Sequence, residues 1–225
     1  MCGRFTLIIY PEALAKMFDL QGVPQIEPRY NIGPGQQVVC IRHLGDHNQL
    51  DLLKWGLLPS LFEDITHASI NAQSETSETA VHEITHAIKY NRCIIPASGF
   101  YEWLPQGNRK QPYYIRLLNS SVMGFAGLWE AKITEDGTEL NTCCILTTEA
   151  NDIVKPIHDR MPVVLQPEDY DFWLNRNMHD PHELEKLYQP YPADLMYAHP
   201  VPDLVNNIRF DSASCIVQML SLIHI

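Results

Sequence analysis

An α+β fold built mainly on antiparallel strands is what this sequence predicts, and three observations carry the prediction. Strand-like runs outnumber helical ones. Most neighbouring strand-like runs are separated by turns of hairpin length. No Gly/Ser linker, internal repeat or low-complexity run divides the 225 residues, of which 45% are hydrophobic, so one domain with a substantial core is expected. Its expected boundaries are 1–215, with 216–225 as a C-terminal tail.

The elements follow in chain order. "MCGRF" starts a strand. "YPEALAKMFDL" reads as a short helix with Pro11 in its first turn, where a missing N–H costs nothing. "QQVVCIRHL" and "LDLLKWGLL" read as strands, and "GDHN" between them is turn chemistry, so a hairpin is expected. "SETSETAVHEITHAIKYN" reads as a helix entered through Ser or Thr caps. "RCIIPASGFYEW" is a buried strand, a turn at Ser98-Gly99 and a second strand. "PYYIRLL", "MGFAGLWEA" and "NTCCILTT" continue the β pattern. "PEDYDFWLNR" and "DPHELEKLY" are helical, each opening with Pro and acidic residues where the helix dipole favours them.

Composition narrows the class. The formal net charge of −11 argues against a broad electrostatic grip on duplex DNA, because non-specific affinity comes from neutralising phosphates. A few arginines in one cleft can still hold a short single strand, since distant carboxylates are screened beyond about 8–10 Å. No apolar stretch approaches the roughly 20 residues that span a bilayer, and "LIIY" is no signal-peptide core, so a cytoplasmic protein without a membrane partner is expected. Six cysteines occur without a C-x-x-C pair, which fits a reducing compartment better than a disulfide framework. Cys40, Cys93, Cys143 and Cys144 lie in apolar runs as small buried hydrophobes.

Cys2 stands apart. Methionine is trimmed when its neighbour is small, and trimming would leave Cys2 with an α-amine and a thiol on adjacent carbons. No other residue type offers that pair; the plain alternative is a small apolar residue opening a strand. "HEITH", His82 to His86, matches H-E-x-x-H, which on a helix sets two histidines on one face for zinc with Glu83 as base. No third ligand sits at a recognised spacing, so a solvated helix face ranks above zinc. Dispersed polar residues in apolar or turn settings weigh more: Asn71 after "ASI", Glu102 between Tyr101 and Trp103, and His158 in "PIHDRMP". Desolvation raises a carboxyl toward use as a general acid. Histidine shuttles protons near neutrality, and Arg4 and Arg160 are anion clamps in prospect. Each also has an ordinary structural reading: an edge carboxylate, a surface ion-pair cluster, a turn former.

Taken together, "MCGRF", "RYNIGPGQ", "KWGLLP", "NAQSET", "RCIIPASGFYEW", "KQPYYI", "FAGLWE", "TTEAN" and "IHDRMPVVL" stand in the order seen in the SOS response-associated peptidases, also called abasic-site processing proteins. The chain resembles that family from Cys2 to about "HPVPDLVNNIR". The resemblance implies a compact α+β domain with a barrel-like core. It implies a DNA-damage-response protein that binds single-stranded DNA and traps abasic sites as a covalent crosslink; neither a metal nor a cofactor is expected. It implies Cys2, exposed by self-removal of Met1, as nucleophile, with Asn71, Glu102 and His158 as the other active-site positions. It implies Arg4 and Arg160 on DNA phosphate, with lyase activity as an accompaniment. A monomer is expected, associated with the nucleoid when bound to DNA. Gln73 stands where the family usually has arginine, which removes a charge from the expected backbone grip. Leu61 and Phe62, after Trp55, offer apolar surface to stack on a base or block a second strand. Three other readings stay open at this point. They are an N-terminal-nucleophile amidohydrolase, a zinc peptidase, and a binding module that holds DNA without bonding to it.

Overall fold

Alternating inward apolar side chains build two sheets around a shared core. The computed structural model describes residues 2–58, 68–74 and 82–219. β1 (Phe5–Leu7) is followed by α1 (Pro11–Met17), with proline in its first turn. β2 (Arg29–Ile32), β3 (Gln37–Leu44), β4 (His47–Trp55) and β5 (Asn71–Gln73) follow. Then come α2 (His82–Tyr90), β6 (Arg92–Ala97), β7 (Gly99–Gln106), β8 (Arg109–Leu117), β9 (Met123–Ile133) and β10 (Glu139–Glu149). The chain continues through β11 (Arg160–Pro162), β12 (Val164–Leu165), α3 (Tyr170–Leu174), α4 (Pro181–Glu185) and β13 (Met196–Pro200). Short 3₁₀ turns adjoin α3, α4 and β13.

One sheet runs β13-β8-β7-β1-β2, antiparallel throughout. The other closes on itself as a five-stranded barrel, β10-β4-β3-β6-β9 and back to β10, with β5, β11 and β12 added at its margins. The expected mainly antiparallel α+β domain is therefore what the chain forms, with one difference. β10 pairs in parallel with both β4 and β5, Cys143 with Trp55 and Ile145 with Asn71. These long-range pairings leave no mark in local periodicity.

Local chemistry explains the sharper turns. β3 and β4 pair down to Leu44 opposite His47, so the loop is only Gly45-Asp46. Gly45 sits at φ +71°, a conformation costly for residues with a Cβ. A second glycine is needed for space. A Cβ on Gly99 would stand 2.4 Å from Tyr114 Cζ, where the Tyr114 hydroxyl shares a 2.8 Å hydrogen bond with Thr6 Oγ1. The two expected C-terminal helices are shorter than their patterns: "PEDYDFWLNR" divides into a 3₁₀ turn and the five residues of α3, because the chain turns at Asn175 to meet α2.

The core joins both sheets. Phe5 of β1 packs edge-on against Trp55 at 5.1 Å and Phe125 at 6.0 Å, and Phe125 meets Phe100 at 6.1 Å. Cys40, Cys93, Cys143 and Cys144 are buried with free thiols, as their apolar contexts predict. Among the described residues no helix is long and apolar enough to cross a membrane.

One buried cation ties α2 and α3 to the barrel. Arg92, 5% exposed, donates to the carbonyls of Ile88 and Lys89 at the end of α2 and to Trp173 and Asn175 around the end of α3. It satisfies terminal helix acceptors and lies at the negative end of the helix dipole. Burial lowers its pKa to about 10, which leaves it charged at neutral pH. Arg92→Met should cost about 3–5 kcal/mol, since several buried carbonyls lose their donor. Arg92→Lys, keeping charge but not the planar fork, should cost about 2 kcal/mol. Urea denaturation checks this; a cost below 1 kcal/mol for the methionine variant would mean the junction is held by packing alone.

Candidate functional site

Strand pairing brings the chain start to Glu102. β1 pairs with β7, Phe5 opposite Phe100 and Thr6 opposite Gly99. The pairing continues through the Tyr101 N–H, which donates to the Arg4 carbonyl at 2.9 Å. One more step along the same register leads to Gly3 and Cys2 beside Glu102. The charge of Glu102 acts on the Cys2 thiol, and burial, the larger cause, pushes that thiol far above its ordinary range. The Cys2 thiol lies 3.9 Å from the Arg4 carbonyl.

Glu102 is 3% exposed. Burial raises its carboxyl from 4.5 to about 7, so it exchanges its proton at neutral pH. The alternation of β7 turns Tyr101 and Trp103 to the opposite face. There the Tyr101 hydroxyl donates to the Tyr30 carbonyl and Trp103 Nε1 donates to Asn206 Oδ1, both at 2.7 Å.

Asn71, the first residue of β5, donates from Nδ2 to the Cys2 carbonyl at 3.0 Å. Its Oδ1 is buried and meets no donor among the described residues. The strand that carries it is aimed by residues the sequence reading did not single out. Trp55 Nε1 donates to the Ile70 carbonyl at 2.9 Å, and the Ile145 N–H donates to the same oxygen at 3.1 Å.

His158 is the penultimate residue of the loop from β10 to β11. The Arg160 amide donates to its Nδ1 at 3.0 Å, so the neutral ring carries its proton on Nε2. Asp159 Oδ1 also lies 3.0 Å from Nδ1 and can accept from that nitrogen when the ring is protonated. Burial lowers the His158 pKa. The field of Asp159 also reaches Glu102, so the loop and β7 border one site.

Both arginines are anchored. Arg4 Nη1 donates to Asn31 Oδ1 at 2.7 Å and to the Val205 carbonyl at 2.6 Å. The Arg160 guanidinium donates to the carbonyl and hydroxyl of Thr147. Thr147 pairs on its other side with Gln73, an exposed residue, and its hydroxyl donates to the Ala72 carbonyl at 3.2 Å. Thr147 and Asn31 are thus two further residues that the sequence reading passed over, although each lies inside a quoted motif, "TTEAN" and "RYNIGPGQ".

The structure therefore gathers Cys2, Asn71 and Glu102, with His158 at the border, and holds Gln73 and Arg160 on either side of Thr147. Arg4 reaches toward the C-terminal segment. Leu61 and Phe62 lie outside the described residues, as do the side chains of His82 and Glu83. The second histidine of "HEITH", His86, meets Tyr90 with ring centres 4.9 Å apart and planes tilted by 46°, and lies 3.8 Å from Glu130.

Comparison with known proteins places the chain in a family. The SOS response associated peptidase (SRAP) family matches residues 1–208. The abasic site processing protein YoqW of Bacillus subtilis (strain 168) is 40% identical over 222 residues, covering 96% of this chain and 99% of that one. The abasic site processing protein HMCES of Gallus gallus is 30% identical over 227 residues, covering 84% of this chain and 66% of that one. A Bacteroides thetaiotaomicron protein of known crystal structure shares the fold with a TM-score of 0.87 at 22% identity, covering 97% of this chain and 100% of that one. Matched over nearly its full length and 40% identical to YoqW, the chain belongs to the SOS response associated peptidase family.

Proposed function

We propose that this protein processes abasic sites in DNA by bonding to them. After Met1 is removed, the Cys2 α-amine and thiol close a thiazolidine on the open aldehyde of an abasic sugar in single-stranded DNA. The observation that carries this reading is the buried carboxyl of Glu102, with a pKa of about 7, beside Cys2. The names of YoqW and HMCES support the substrate.

The steps follow from the groups present. A free α-amine has a pKa near 7.7–8.0 and is partly neutral at pH 7. It attacks the aldehyde carbon to give a carbinolamine. The Glu102 acid protonates the departing hydroxyl, water leaves, and an iminium forms. The Cys2 thiol, kept protonated by burial, now passes its proton to the Glu102 carboxylate as sulfur attacks the iminium carbon. The five-membered ring closes on a neutral secondary amine, and Glu102 recovers the proton it gave. The second attack is intramolecular and gains a high effective molarity. Asn71 holds the Cys2 backbone during this sequence, and His158 serves the later proton transfers at the adducted sugar, including release and any strand cleavage by β-elimination.

Three outcomes are expected. Incubation with single-stranded DNA bearing one abasic site should give a denaturant-resistant, slowly migrating band that Cys2→Ala abolishes. Cys2→Ser should not form the ring, because a hydroxyl is a far poorer nucleophile than a thiolate. A full-strength band from the alanine variant would refute the reading and return the open alternatives.

Glu102→Gln should slow crosslink formation by roughly 10²–10⁴-fold. The wild-type rate should follow a bell in pH, rising as the amine loses its proton and falling as Glu102 loses its own near 7. The glutamine variant should lose the alkaline fall. The same substitution should stabilise the fold, and the sign follows from the raised pKa. A carboxyl at 4.5 unfolded and about 7 folded costs nothing below pH 4.5, an increasing amount between 4.5 and 7, and its full amount above. Glu102→Gln should thus gain about 3 kcal/mol at pH 8 and nothing at pH 4, measured by denaturation at both. A variant no more stable at pH 8 would mean the native carboxylate is fully compensated.

Gln73→Arg should tighten binding to intact single-stranded DNA and steepen its salt dependence by up to about one phosphate contact. An unchanged slope in a fluorescence titration across salt would mean that residue 73 does not face the backbone.

A further inference from the structure

We propose that Asn151 is a positioning residue for His158, holding the imidazole at the site through Val154; this rests on the role given to His158 above. The loop between β10 and β11 is a closed unit. Glu149 pairs with Arg160 at its neck, and the Ala150 N–H donates to the Asp159 carbonyl at 3.0 Å. Within it the chain makes two successive turns, the first closed on the Asn151 carbonyl by the Val154 and Lys155 N–H groups and the second on the Val154 carbonyl by those of Ile157 and His158.

Every hydrogen-bonding face of the Asn151 side chain is used. Oδ1 accepts from the N–H groups of Ile153 and Val154, each at 3.1 Å, which caps the first turn. Nδ2 donates to the Tyr191 carbonyl at 2.6 Å and to Met196 Sδ at 3.1 Å. The first pair of bonds shapes the turn, and the second pair fastens it to the chain before and within β13. Val154 then relays the constraint. Its N–H is held by Asn151, its side chain is fully buried, and its carbonyl accepts from the His158 N–H at 2.9 Å. The ring at the end of the relay is further fixed by the Arg160 amide on Nδ1.

The side-chain type follows from this double duty. Asparagine alone among short side chains carries two N–H donors and a carbonyl acceptor. Aspartate would keep the cap but set a carboxylate against the Tyr191 carbonyl. Alanine would lose both ends. Neither change touches a reacting atom, so any effect on the chemistry must pass through the loop.

The test is a double-mutant cycle on adduct release from single-stranded DNA carrying an abasic site, together with the NMR signal of the His158 ring. Asn151→Ala should slow the His158-dependent release by about 10–100-fold, the scale expected for a misplacement near 1 Å. In a His158→Ala background it should change release by less than about twofold, because the positioned group is gone. The His158 Cε1–Hε1 resonance should move toward its position in an unstructured peptide. Equal slowing in both backgrounds, or an unmoved resonance, would overturn the proposal. If the alanine variant fails to fold by circular dichroism, Asn151→Asp, which keeps the cap, should give the same pattern. A failure of the functional reading is separately visible. His158→Ala would then release adduct at the wild-type rate, or Cys2→Ala would still form it. The resonance alone would in that case decide for or against Asn151.

Discussion

The packing of Phe5 is the contact on which the site depends. β1 is only three residues long, too short to hold itself in place by ladder bonds. It is held because Phe5, 1% exposed, enters the space where Trp55 and Phe125 meet. Burial of such a ring is worth about 1.5–3 kcal/mol, with further edge-to-face gains of about 0.5–1.5 kcal/mol per aromatic pair. Cys2 lies three residues upstream. A chain terminus normally frays; here a side chain in the barrel core and the pairing of β1 with β7 fix the terminus against Glu102. The same Trp55 that flanks Phe5 uses its indole N–H to hold the Ile70 carbonyl and so sets Asn71. One aromatic cluster thereby positions two elements from opposite sides of Cys2.

The site is assembled against the interest of stability. A carboxyl raised to about 7 and a buried asparagine oxygen without a donor among the described residues each cost free energy at neutral pH. The junction of β2 with the C-terminal segment is by contrast densely hydrogen-bonded. Asn31 accepts from Arg4 and donates to three carbonyls of the C-terminal segment, and Asp211 accepts from the amides of Tyr30 and Asn31. A buried carboxyl whose protonation burial sets near neutrality, standing beside a terminal cysteine, is the kind of group a reactive site requires.

Most local structure was legible in the sequence, and the reasons are local. Pro11 opens α1, Gly45-Asp46 turns the β3–β4 hairpin, and the apolar runs around Cys40, Cys93, Cys143 and Cys144 form buried barrel strands. The family resemblance also implied the barrel. What escaped was long-range. The parallel pairing of β10 with β4 and β5 joins segments about 75–90 positions apart along the chain, and no periodicity records it. Cys2, Asn71 and Glu102 were named from context and resemblance, yet what aims them was not. Trp55 looks like an ordinary core residue until its N–H finds Ile70. Asn31 looks like a turn former until its side chain meets Arg4 and the carbonyl groups of residues 205–210. Thr147 sits in an apolar strand, where a hydroxyl reads as a tolerated substitution. Its function as the anchor of Arg160 becomes visible only when β11 folds back beside it.

Those anchors change how the arginines act on the proposed reading. A protein of net charge −11 cannot attract DNA from a distance by its overall field. Arg4 and Arg160 spend part of their donor sets on carbonyls of their own chain. The bonds fix the planar guanidinium groups, so less side-chain entropy is lost when such a group meets an anion. Affinity built this way comes from a few oriented donors and depends little on long-range charge. The grip is then strongest where the sugar must sit, and weak along intact strands where no covalent bond can follow. A neutral Gln73 beside Thr147 is consistent with that balance, because an additional fixed cation would strengthen binding to every strand alike and add nothing to the discrimination of the reactive sugar.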